Sequence, residues 1–168
     1  MRLFIALTFP PSVLDRLEAV QHQLSGSPTR RENLHMTLAF LGEIPPARIP
    51  ALRQLLRPIA ESTPCFSMAL DRLAVFGSGK GALACLTGDP PEELITLVRE
   101  LEAALRAQGF SLEDREFRPH VTLCRRCPAP AADFSPIFFT AQGLHLMLSE
   151  RLDGVLTYTP LFSASFRS

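Results

Sequence analysis

The tetrapeptide His-x-Thr-Leu occurs twice in this chain, as His35-Met36-Thr37-Leu38 and as His120-Val121-Thr122-Leu123, and it uses two of the four histidines. By chance a given histidine meets Thr and Leu at those offsets on the order of once in ~200, so two copies point to a shared role. In a strand, side chains at i and i+2 share a face, which sets His35 beside Thr37 and His120 beside Thr122, with Met36, Leu38, Val121 and Leu123 packing behind them. Imidazole titrates near ~6.5, so small differences in surroundings leave one histidine as a base and another as an acid at the same pH. Threonine hydroxyls next to them suit the oxygens of a phosphate. Opening a 2′,3′-cyclic phosphate asks for this set: a base to activate water on one side of phosphorus and an acid to protonate the departing ribose oxygen on the other.

The copies lie about half the chain apart, and each opens an apolar run after Asn33-Leu34 or Arg118-Pro119. This predicts two halves of comparable size about a pseudo-twofold axis, with the motif strands side by side. Arg118 shares the His120 face by alternation. Arg125, at an odd offset from His120, needs a strand end or a bulge to reach the same face. No carboxylate or cysteine cluster accompanies the histidines, so no metal site and no cofactor are expected, although spacing alone leaves a paired-histidine copper or zinc site open.

Seventeen basic residues balance seventeen acidic ones. A surface without net charge does not coat long nucleic acid, so any nucleic-acid contact should be local, at a strand end held in a cleft. The 168 residues, 46% of them hydrophobic, suffice for one compact unit, and residues 1–168 are expected to form a single bilobal domain. No apolar stretch is long enough to span a bilayer and the first residues fit no signal peptide, so a cytoplasmic monomer without membrane contact is expected. Cys124-Arg125-Arg126-Cys127 has the spacing of a redox pair or half a zinc site; with no second half, structural thiols are the expectation, redox or metal roles the alternative. Gly77-Ser78-Gly79-Lys80-Gly81 lacks phosphate-loop spacing and reads as a hairpin turn. His22 and His145 read as structural or exposed.

The elements that must position the motifs follow from periodicity. A strand over 2–9 ends at Pro10-Pro11, and a helix capped by Ser12 carries Val13, Leu14, Leu17, Val20 and Leu24. The first motif strand covers 34–41, a second helix runs from Pro45-Pro46 to Pro64, and 66–76 with 82–87 reads as a hairpin. A third helix from Pro90-Pro91 to Gly109 precedes the second motif strand at 119–125, and strands near 137–148 and 155–163 close the chain. The order β-α-β-α-β-β-α-β-β-β predicts an α+β fold: two mainly antiparallel sheets flanked by helices around a central active-site cleft.

Beyond the tetrapeptides, the chain resembles the two-histidine (2H) phosphoesterase superfamily, and within it the LigT/ThpR-type RNA 2′,3′-cyclic phosphodiesterases. The resemblance rests on Arg2-Leu3-Phe4-Ile5-Ala6, on Glu32 through Glu43, on Arg118-Pro119-His120-Val121-Thr122-Leu123, and on Ser149 through Gly154 to Tyr158. It covers nearly the whole chain. It implies metal-free hydrolysis of terminal 2′,3′-cyclic phosphates on RNA to 2′-phosphates, with a reversible 2′-5′ RNA ligase activity in some members. It also implies His35 as proton donor and His120 as proton acceptor, an order that the sequence alone does not decide, with Thr37 and Thr122 binding phosphate and an arginine, here Arg125, following the second motif. The chain has no Trp and one Tyr, so stacking of a base falls to Phe40 or another phenylalanine. Two other readings stay open: a noncatalytic binder of phosphorylated RNA ends, and a phosphodiesterase of this fold acting on 2′-5′ oligoadenylates or small cyclic nucleotides.

Overall fold

The computed structural model describes residues 1–168. In chain order its elements are β1 (Arg2–Leu7), α1 (Pro11–Gln21), β2 (Ser27–Pro28), β3 (Met36–Glu43), α2 (Ile49–Ser62), β4 (Phe66–Leu70), β5 (Arg72–Phe76), β6 (Leu83–Thr87), α3 (Glu92–Ala107), β7 (Val121–Arg125), β8 (Ile137–Ala141), β9 (Gly143–Leu152) and β10 (Val155–Ser165). The fold is α+β, with two antiparallel sheets of unequal size. The large one has eight strands, ordered β10-β9-β1-β3-β7-β6-β5 with β2 alongside β7, and the small one is the pair β4-β8. No helix is long and apolar enough to cross a membrane.

Two chain halves are visible in this order. β1-α1-β3 and β6-α3-β7 are the same strand–helix–strand unit, each joining two adjacent antiparallel strands. The strands that follow cross over: β9 pairs with β1 of the first half, β5 pairs with β6 of the second, and β4 pairs with β8 between them. Each half of the large sheet therefore contains a strand supplied by the other. The apolar faces of all three helices and the inward side of β1, with Leu3, Ile5 and Leu7, join one cluster of 37 buried residues. Phe4, Ala6 and Met147 form a separate small cluster on the opposite side of the sheet, with Tyr158 packed against it.

The sequence expectations hold in outline and shift in detail. The segment 66–76 is two strands in different sheets, because the chain leaves the β4-β8 pair at Asp71 and enters the large sheet. The crossing is close: a Cβ on Gly88 would collide with the Ala69 carbonyl oxygen. The segment 137–148 likewise divides at Gln142 between β8 and β9. Helix α1 starts at Pro11, which fits the N1 position because its missing N–H costs nothing there, and Ser12 makes no capping bond.

A β-bulge lies at the same place in both motif strands. Along β1 and β3, Ile5 faces Ala39 and Ala6 faces Thr37, which leaves Leu38 over; along β6 and β7, Ala84 faces Cys124 and Cys85 faces Thr122, which leaves Leu123 over. Leu38-Ala39 and Leu123-Cys124 accordingly all join the core. The Leu123 carbonyl, freed from the β6 ladder, accepts the Thr29 N–H at 2.9 Å and the Gln21 side-chain amide at 2.7 Å. Gln21 is itself 6% exposed. Gln21→Leu removes this donor and the bond to the Thr29 carbonyl, and urea unfolding should show a loss of about 1–3 kcal/mol.

Candidate active site

The motif strands meet through one ladder pair, Met36 against Val121. Continuing this antiparallel register by one residue sets His35 across from Thr122 and Thr37 across from His120. The local twofold through the Met36–Val121 pair thus exchanges the two histidines and the two threonines. All four side chains are half-buried on the face opposite the main core.

The bulges decide what stands beside them. With Leu38 left over, Phe40 falls on the face of Phe4, Ala6 and Thr37; with Leu123 left over, Arg125 falls on the face of Leu83, Cys85 and Thr122. Phe40 and Arg125 hold equivalent positions in the two halves, one apolar and one cationic. The Phe40 ring is 51% exposed. Arg125 is exposed as well.

Each half of the sheet coils back over its own histidine. β10 is three places from β3, about 14 Å in a flat sheet, yet the Tyr158 ring lies 5.1 Å from that of His35, edge-on at 86°. Phe4 meets the same imidazole at 5.0 Å. In the other half Phe76 of β5 stands 4.4 Å from His120, and the Arg118 guanidinium stacks 4.2 Å above the Phe76 ring. Right-handed twist, increased by the bulges, brings these opposite corners of each half together.

Both imidazoles are oriented by the carbonyl two residues upstream. His35 Nδ1–H donates to the Asn33 oxygen at 2.7 Å and His120 Nδ1–H to the Arg118 oxygen at 2.8 Å. A carbonyl only accepts, so Nδ1 carries the proton and Nε2 turns to the cleft in both. There the halves differ: His35 Nε2 accepts from the Thr37 hydroxyl at 2.9 Å, whereas His120 Nε2 has no partner within the protein. Thr122 instead contacts the Cys85 thiol at 3.6 Å, and burial pushes that thiol up so that it stays protonated.

Burial lowers both histidines below the ordinary imidazole value. The carbonyl bonds act the other way, and proximity to His120 lowers His35 further, as the Arg118 and Arg115 cations do His120. His145, held by the Thr8 and Ser163 hydroxyls, is also lowered by burial.

The structure thus brings His35, Thr37, His120, Thr122, Phe40 and Arg125 to one face, with Arg118 beside His120 through Phe76. Phe4, Tyr158, Phe76 and Asn33 complete the surroundings and were not named as site residues from the sequence; Phe4, Asn33 and Tyr158 lie in the segments that carry the family resemblance, and Phe76 had no such signal. The four cysteines are free.

Two imidazoles and two hydroxyls facing one cleft in a pseudo-twofold α+β fold are the architecture of the two-histidine phosphoesterases. The family model described as the 2′-5′ RNA ligase superfamily matches residues 9–151, and the chain belongs to that superfamily. An Escherichia coli relative named RNA 2′,3′-cyclic phosphodiesterase is 29% identical over 170 residues, covering 95% of this chain and 93% of the relative. A Geobacillus stearothermophilus protein of the same name is 35% identical over 96 residues, which span 56% of this chain and 31% of that protein. The crystal structure of E. coli LigT complexed with 3′-AMP superposes with a TM-score of 0.85 at 28% identity, over 99% of this chain and 98% of that one.

Lowered histidines link stability to pH with a definite sign. The unfolded chain, with ordinary imidazoles near 6.5, binds more protons than the folded one between that value and the folded values, so stability is complete above this window and falls as pH drops through it. Thermal melts from about pH 7.5 to about pH 5 should show a falling Tm, with a shallower slope in His145→Gln. An unchanged slope in that variant would contradict the assignment.

Proposed function

We propose that this chain is an RNA 2′,3′-cyclic phosphodiesterase that hydrolyses a terminal 2′,3′-cyclic phosphate to a 2′-phosphate, with His35 as proton donor and His120 as proton acceptor. The observation that carries this reading is the facing arrangement of the two His-x-Thr pairs, each with Nδ1 tied back and Nε2 turned to the cleft. The names of the full-length relatives and the nucleotide in the LigT complex support the substrate class.

The assignment of roles rests on the asymmetry of the halves. A general base must be neutral with a free lone pair, and His120 offers an unpartnered Nε2 beside a cation that disfavours its protonation. It takes a proton from water as the water oxygen bonds to phosphorus. The P–O3′ bond breaks on the opposite side, and the leaving oxygen takes a proton from His35 Nε2, which gives a 3′-hydroxyl and a 2′-phosphomonoester. The bound anion recharges His35 for this step by favouring its imidazolium form. Thr37 and Thr122 donate hydroxyl hydrogens to the nonbridging oxygens, Arg125 and Arg118 supply positive charge, and Phe40 offers an exposed ring to the terminal base. When a 5′-hydroxyl takes the place of water, His120 accepts its proton, its oxygen bonds to phosphorus, and the 3′-oxygen leaves with a proton from His35, so 2′-5′ ligation uses the same groups.

The reading needs no metal and no cofactor, because imidazoles move the protons and hydroxyls with arginines hold the charge. It also makes the whole chain one bilobal unit, acting as a cytoplasmic monomer. The strand exchange between halves supports the first and the four free cysteines the reducing compartment.

A short RNA ending in a 2′,3′-cyclic phosphate, incubated with the protein and chelator, should yield only the 2′-phosphate. His35→Ala and His120→Ala should each lower kcat by about 10²-fold or more with the fold retained. Full activity in either variant would falsify the roles, and tight RNA binding without turnover would favour a noncatalytic binder. Arg125→Ala should raise KM by about 10-fold while kcat changes less, and light scattering should give the mass of one chain.

A further inference from the structure

Asn33 is the one residue whose buried side chain holds a polar atom without a partner. It is 4% exposed, its Oδ1 makes no hydrogen bond, and its Nδ2 donates to the Leu156 carbonyl of β10 at 3.0 Å. A half-satisfied buried amide costs stability, which directs attention to what its satisfied half secures. Asn33 ends the 3₁₀ turn Arg31–Asn33, and its own carbonyl receives the His35 Nδ1–H. Leu156 stands two residues before Tyr158, whose ring flanks the same imidazole.

We propose that Asn33 is a positioning residue for His35: its side-chain bond to β10 fixes both the carbonyl that holds Nδ1–H and the strand whose Tyr158 ring limits rotation of the imidazole. The inference rests on the acid–base reading of the cleft. His35 is thereby gripped at Nδ1, along the ring by Phe4 and Tyr158, and at Nε2 by Thr37. The matching residue of the other half, Arg118, makes no such tie; its side chain is exposed and stacks on Phe76. The two histidines should therefore respond differently to changes at these equivalent positions.

The neighbourhood of His35 leaves few other sources for a change in its titration. The titratable groups facing it are His120 just before β7 and Tyr158 on β10, and Phe4 on β1 and Thr37 on β3 carry no charge. Charges on the 3₁₀ turn are paired away, Arg31 with Asp15 and Glu18, and Glu32 with Arg30. Loosening the turn weakens a carbonyl bond that favours the imidazolium form, so the His35 pKa falls further and an acid at that position loses its proton at lower pH.

The test is Asn33→Ala and the uncharged, similarly sized Asn33→Leu, with Asn33→Ser in place of any variant that does not fold. Nitrogen NMR of labelled histidines without substrate reads the His35 tautomer and titration directly. Wild-type His35 should be protonated at Nδ1 alone when neutral, and the variants should show mixed tautomers and a lower His35 pKa with His120 unmoved. In turnover, kcat should fall by about 10-fold or more with KM within about 2-fold, and the alkaline limb of the rate profile should move to lower pH. Folded variants with the wild-type His35 tautomer, titration and kcat would overturn the proposal. A wild-type protein inert on cyclic phosphate would instead remove the proposed reaction, leaving the spectra to judge Asn33.

Discussion

The cleft hangs on the backbone pairing of Met36 with Val121. Because the two strands run antiparallel through this pair, each histidine faces the threonine of the other motif, and four polar side chains share a small rectangle of sheet surface. A slip of one residue would turn one motif into the core and its apolar partners into the cleft. The register is held from behind, where Met36 and Val121 are both fully buried in the core. Packing of two apolar side chains thus fixes the geometry of four polar ones on the other face.

On either side of that pair, two departures from regular sheet geometry finish the site. The bulges at Leu38 and Leu123 reverse the alternation, so that residues five places after each histidine return to the histidine's own face. They also increase twist, and each half-sheet curls until an aromatic ring from its outermost strand reaches the imidazole: Tyr158 of β10 in one half and Phe76 of β5 in the other. Because β9 and β10 follow in the second half and β5 in the first, each histidine is enclosed by strands from the opposite part of the chain.

The electrostatics of the cleft follow from enclosure and from a broken symmetry. Burial disfavours imidazolium at both histidines, so a neutral base is available at neutral pH without a carboxylate partner. The halves then diverge. His35 is ringed by Phe4, Tyr158 and Thr37 with a polar tie at Asn33, while His120 packs on Phe76, itself covered by the Arg118 guanidinium, with its Nε2 free. Two copies of one motif acquire different hydrogen-bond and aromatic surroundings from neighbours outside the motif rather than from their own sequence.

Much of this was legible in the residues themselves. The doubled His-x-Thr-Leu motif, read with the period of a strand, defined the four polar groups and the half-chain repeat, and proline pairs and apolar spacing located the helices, since these features act over a few residues. Balanced charge and the absence of a long apolar run bounded the class. Tertiary structure decided the rest. Strand exchange split 66–76 between two sheets and 137–148 between two strands, and pairing partners remote in sequence are set by packing that no local pattern encodes. The face of Arg125 and Phe40 depended on bulges, which appear only when a strand meets a partner of different local length. Tyr158 and Phe76 entered the site because the sheet coils, a consequence of twist accumulated over two or three strands and invisible in any one of them.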